Sequence, residues 1–122
     1  MAENKEYISN ELDHGTVYIN EEVIATIAAT AIRDVEGVVG LSGNLSDDVK
    51  GMLSKKNNSK GVRIILSEDT VSVECNLVVL YGHPVVEIAK NVQSGIVSAI
   101  ESMTGLKVKS VDVNVGSISM AK

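Results

Sequence analysis

Residues 61–80, GVRIILSEDTVSVECNLVVL, carry the pattern that decides the fold. Val62, Ile64 and Leu66 alternate with Arg63, Ile65 and Ser67; Val71, Val73, Cys75, Leu77 and Val79 alternate with Ser72, Glu74 and Asn76. A period of two marks half-buried strands. With Glu68 and Asp69 as the loop, Leu66 falls opposite Val71, Ile64 opposite Val73, Val62 opposite Cys75 and Arg63 opposite Glu74. That register puts apolar partners on one face and an ion pair on the other. Glu-Asp is a poor primed turn, so a longer loop is the alternative.

Downstream, Pro84 suits a helix start and His83 the N-cap position, and Val85, Ile88, Ala89, Val92, Ile96, Ala99, Ile100 and Met103 keep helical spacing as far as Thr104. Gly105 and Leu106 supply the C-terminal stop. Val111, Val113 and Val115 then alternate with Asp112 and Asn114, so residues 71–80, the helix and residues 107–116 read as a parallel crossover. Upstream, Val17 and Ile19 alternate with Thr16, Tyr18 and Asn20. Asn20 is a natural N-cap, with Glu21 and Glu22 where the helix dipole favours negative charge. Val23, Ile24, Ile27, Ala28, Ala31, Ile32 and Val35 form the stripe of a helix over 21–35, which Gly37 ends. Residues 38–42 read as a brief strand. A short helix around Val49, Met52 and Leu53 starts after Ser46 and ends at Lys55 and Lys56. Residues 1–14 are polar and aperiodic and read as a disordered tail.

The predicted order is β-α-β-(short α)-β-β-α-β. Strands that alternate rather than being apolar throughout leave one sheet face wet. The fold class is therefore α+β, a two-layer sandwich with a mixed sheet and helices on one face, as a single domain over 15–119. With 122 residues there is material for one core, and with aromatics at 2% that core is aliphatic.

A net charge of −5 and few aromatic rings argue against a nucleic-acid partner, which needs a basic footprint and stacking platforms. Only Lys50, Lys55, Lys56, Lys60 and Arg63 lean basic, and a nucleic-acid reading would require them to converge. The N-terminus, with Glu3, Glu6, Glu11 and Asp13, has no apolar leader, and no apolar run is long enough to span a bilayer, which predicts a cytoplasmic protein. A lone cysteine agrees with a reducing compartment.

Catalytic chemistry is not legible. Cys75 shares inward parity with Val73 and Leu77, and a strand rise of about 3.3 Å per residue sets it roughly 20 Å from His83. His14 lies in the tail, so no metal set forms. Gly37, Gly40 and Gly43 have neither the spacing nor the strand-to-helix context of a dinucleotide site. No cofactor or catalytic residue is assigned.

Gly15-Thr-Val-Tyr-Ile-Asn20 before Glu22-Val23-Ile24, Gly37-Val38-Val39-Gly40, Tyr81-Gly82, Asn91-Val92-Gln93 and Thr104-Gly105-Leu106 occur in an order and spacing that resembles the alkaline shock protein family of Gram-positive bacteria, the envelope stress response family. The resemblance runs from about Gly15 to Ser119. It implies a non-enzymatic cytoplasmic protein of envelope homeostasis that self-associates and, in some members, is recruited to the membrane by an integral-membrane protein partner. Of its motif residues, Tyr81-Gly82 reads as a strand end and Gly105 as a helix end. Asn91 and Gln93 are polar residues on a helix whose apolar stripe is already complete, and so are candidates to face a partner.

Val78 and Leu80 are the remaining candidates. They share the outward parity of Ser72, Glu74 and Asn76 yet are apolar, so either Val49, Met52 and Leu53 cover them or they form a docking patch. The alternative to a protein-binding role is a sensing module that holds an acyl chain or metabolite between helices and sheet, which needs a cavity above about 300 Å³.

Overall fold

The computed structural model describes residues 7–42 and 61–120 of the chain. The expected hairpin forms as β4 (Val62–Leu66) and β5 (Thr70–Leu80). The register is the predicted one, with Val62 opposite Cys75, Arg63 opposite Glu74, Ile64 opposite Val73 and Leu66 opposite Val71. Arg63 Nη2 donates to Glu74 Oε1 at 2.9 Å on the solvent face. The two-residue turn is closed by Ser67 N donating to Thr70 O at 2.9 Å.

Helix α2 (Val85–Thr104) buries Ile88, Val92, Ile96 and Ile100, one residue per turn, and ends at Gly105, whose φ of 78° is left-handed. Strand β6 (Lys107–Ser119) then pairs parallel with the whole of β5. Pro84, not His83, is the N-cap. Pro84 O accepts the first helical bond, from Ile88 N at 3.0 Å, and no side chain caps the turn. Its pyrrolidine fixes φ and lacks an N–H, so it ends the extended chain where the helix begins.

Helix α1 (Glu21–Arg33) starts as expected, with Asn20 Oδ1 accepting from Glu22 N at 2.8 Å. Its buried stripe is turned relative to the predicted one: Ala25 and Ala29 are buried with Ile24, Ala28 and Ile32, and Val23 is exposed. Both helices and the inward residues Val71, Val73, Cys75, Leu77 and Val79 share one core, so both lie on the same face of the sheet. The molecule is α+β, with helices over one side of a mixed sheet.

Two features differ from the sequence reading. First, residues 7–12, assigned to the disordered tail, form β1 (Tyr7–Leu12), an antiparallel partner of β2 (Gly15–Asn20). Backbone pairing across the Asp13-His14 turn orders a stretch whose polar residues carry no core pattern. This hairpin is a two-stranded sheet apart from the main one.

Second, β3 (Val38–Leu41) also pairs antiparallel with β5, at Val79, Val78 and Leu77. Because β6 takes one edge of β5, β3 and β4 share the other, end to end. Asn76 marks the junction: its N–H donates to Gly61 O at 3.0 Å and its C=O accepts from Ser42 N at 2.9 Å. The short helix predicted around Val49, Met52 and Leu53 lies outside the described residues.

Candidate functional site

Cys75 is fully buried, as its parity predicts. Burial pushes its thiol up to about 12, with the nearby Asp112 carboxylate adding to the effect. A thiol that resists ionisation is a poor nucleophile. The raised value also makes Cys75 a pH-dependent element of stability. The folded chain holds this proton above the ordinary thiol value of 9.0, so the contribution is complete below pH 9 and fades as pH climbs towards 12. The expected result is a Cys75→Ala variant whose unfolding free energy falls less steeply than the parent's across that window, by up to about 1.4 kcal/mol per pH unit. Denaturant titrations at stepped pH measure this, and the native thiol should resist alkylation at neutral pH.

Among the described residues, no three His, Cys, Asp or Glu side chains are grouped to hold a metal ion. His83 stands beside Gly37, and its Nδ1 is buried without a partner. Of the basic stretch only Arg63 is described, and it is committed to Glu74.

The four candidate interaction residues separate into two places. Asn91 and Gln93 lie on the exposed side of α2. Gln93 has an internal role: its Nε2 donates to Val111 O on β6 at 3.0 Å. One turn from the helix end, Glu101 Oε2 accepts from Val108 N at 3.0 Å, so two α2 side chains clip the backbone of the same strand. Val78 and Leu80 lie on the outer sheet face and are half-buried. Asn76, two residues before Val78, is 7% exposed, and its Oδ1 accepts from Asn114 Nδ2 at 2.7 Å, which satisfies a buried polar group.

Leu80 belongs to a larger apolar region that sequence parity did not reveal. A cleft of about 410 Å³ is lined by Gly37, Val38, Val39 and Leu80. Backbone bonds gather the chain ends around it: Leu80 N donates to Gly37 O at 2.8 Å and Tyr81 N to Ser119 O at 2.9 Å. Tyr81, Val86 and Met120 are 65%, 69% and 74% exposed, and Val39 and Ile118 are exposed too. Exposed Val39 therefore lies with Leu80 in the cleft and exposed Tyr81 directly follows it, whereas Ile118, paired with Val79, shares the inner parity of the sheet. Clustered exposure of this kind marks contact surfaces, whereas single exposed apolar residues do not.

A second concavity, a groove of about 510 Å³ lined by Thr26, Ile27, Thr30, Ala31, Gly95 and Ser98 among others, runs between the two helices. Thr26, Thr30 and Ser98 are exposed, so it opens outward and is not an enclosed space between helices and sheet.

A family model for alkaline shock proteins, described as having a cell envelope-related function, matches residues 9–120. The chain belongs to that family. YqhY of Bacillus subtilis is 31% identical over 110 residues, covering 86% of this chain and 82% of that protein. YloU of the same organism is 32% identical over 104 residues, covering 84% and 87%. A stress response regulator gls24 homolog of Streptococcus pyogenes is 27% identical over 102 residues, 83% of this chain and 57% of the longer protein. The alkaline shock family resemblance read from the motifs is thus shown, and with it an association with the cell envelope and stress response. No helix among the described residues is long and apolar enough to cross a membrane.

Proposed function

We propose that this alkaline shock family domain acts in cell-envelope homeostasis as a non-enzymatic cytoplasmic protein. It works by self-association and by docking on a protein anchored in the membrane. The observation that carries the docking is the end of β5, where Leu80 lines a cleft together with Val38 and the exposed Val39, and Tyr81 beyond it is exposed. Such a surface suits an apolar anchor inserted from a partner, with the remaining contacts excluding water. The buried, proton-retaining thiol of Cys75 accords with a binding role.

Affinity capture with crosslinking from native cells tests this. Leu80→Glu places a charge in the cleft and is expected to lose a membrane-associated partner, by roughly tenfold or more if Leu80 sits in the contact centre. Because Leu80 is only half-buried, the melting temperature should stay near the parent's. Unchanged capture by a folded Leu80→Glu chain would remove this end as the docking site.

A further inference from the structure

The β1–β2 hairpin is built as though it had a third strand. Its register puts Leu12, Val17 and Ile19 on one face, and Ser9, Glu11 and Thr16 on the other. Ile19 packs on the core, whereas Leu12 is 57% and Val17 44% exposed. The alternation thus continues past the point where the chain covers it. A two-stranded ribbon is marginal in water and gains independent stability from further strands on the same face. Among the described residues β1 pairs only with β2. In a two-residue hairpin the residues flanking the loop exchange ladder bonds, so positions 8, 10 and 12 bond inward and the backbone groups of Ser9 and Glu11 point along the open edge.

We infer that this edge pairs with the same edge of a second copy, β1 against β1 in antiparallel fashion about a two-fold axis at residue 10, which makes one four-stranded sheet. The strand is self-complementary in that register. Ser9 meets Glu11 of the second copy, a hydroxyl against a carboxylate on the polar face. Centring the axis on Glu11 would set two carboxylates opposite each other. Centring it between residues would put apolar positions against the polar face. A two-fold axis perpendicular to the sheet keeps like faces together, so Leu12 and Val17 of both copies come to the same face of the four-stranded sheet.

This pairing specifies the self-association in the function proposed above and rests on it. It leaves the apolar end unobstructed. Helix α1 has 13 residues, about 20 Å of rise, and runs from the hairpin at Asn20 to the Gly37 corner of the cleft.

Sedimentation of the full chain over rising concentration, with a disulfide trap, decides the matter. The parent is expected to approach the dimer mass. Ser9→Pro removes an outward N–H that the hairpin does not use, and should remain monomeric at the same concentrations with a melt within a few degrees of the parent's. Residue 10 faces its own copy across a non-hydrogen-bonded pair, where Cα atoms approach to about 4.5 Å, inside disulfide range. In a Cys75→Ala background, Asn10→Cys should therefore crosslink to dimer under mild oxidation, whereas Glu11→Cys, offset from its own copy, should not. A parent monomeric at every concentration would sink both this pairing and the self-association reading. A dimer that survives Ser9→Pro unchanged, or that fails to crosslink through position 10, would sink the pairing alone. If Ser9→Pro fails to fold, the crosslinking pair decides.

Discussion

Ile96→Asp is expected to abolish the cooperative thermal transition at neutral pH. Ile96 is fully buried midway along α2, with Val92 and Ile100 a turn to either side. Shortening the side chain alone removes packing worth about 2–5 kcal/mol. The carboxylate adds a desolvation cost of several kcal/mol with no partner to offset it. Together these match or exceed the roughly 5–15 kcal/mol by which a domain of this size is stable. A buried carboxyl has a raised pKa, so lowering the pH should neutralise it and restore part of the transition. Gln93→Ala, less than a turn away on the outer side, removes one hydrogen bond to a half-buried carbonyl, worth about 0.5–1.5 kcal/mol, and should melt only a few degrees lower. Melts of both variants by circular dichroism check the helix phase. Equal melts would mean that the side of α2 facing the sheet has been misassigned.

The parts of the fold written in local pattern were legible. The β4–β5 register followed from alternation plus the Arg63–Glu74 pair, because a slip of one residue would turn Val71, Val73 and Val79 to solvent. Asn20 and Gly105 marked helix boundaries because caps are local chemistry. What stayed hidden depends on partners distant in sequence. Strand β1 reads as tail because its order comes from backbone bonds to β2, and Asp-His lacks the glycine that announces a tight turn. The exposure of Val23 was missed because the helix stripe alone does not say how α1 is rotated on the sheet. For the site, parity singled out Val78 and Leu80 as apolar residues on the wet face. It could not show that Val38 and Val39 line a cleft with Leu80, since that follows from the pairing of β3 with β5 and the bond of Leu80 to Gly37. The internal bond of Gln93 was equally unreadable, because it depends on where β6 lies beneath α2.

The junction of β3 and β4 at Asn76 gives the second large effect. Gly61 has φ of 96°, a left-handed backbone that side chains disfavour by about 1–2 kcal/mol. Steric conflict adds to this. A Cβ at Gly61 would collide with the carbonyl oxygen of Ser42 and lie 3.0 Å from its carbon and 3.1 Å from Leu41 Cβ. Two of those atoms are backbone, so relief requires β3 and β4 to separate. Separation stretches the bonds from Asn76 N to Gly61 O and from Ser42 N to Asn76 O, and strands polar groups at a residue only 7% exposed. Each lost partner there costs about 1–3 kcal/mol. Gly61→Ala should therefore destabilise the chain by roughly 3–6 kcal/mol, which places it among the exceptional single substitutions. A lower denaturant midpoint with an unchanged slope would report this as lost native stability. Gly95→Ala is the matched control. No atom lies within 4 Å of a Cβ there, the site is inside α2, and alanine should raise stability by about 0.5–1 kcal/mol. If Gly61→Ala moved the midpoint no more than the control did, the two strands would not meet at Asn76 as tightly as the backbone bonds require.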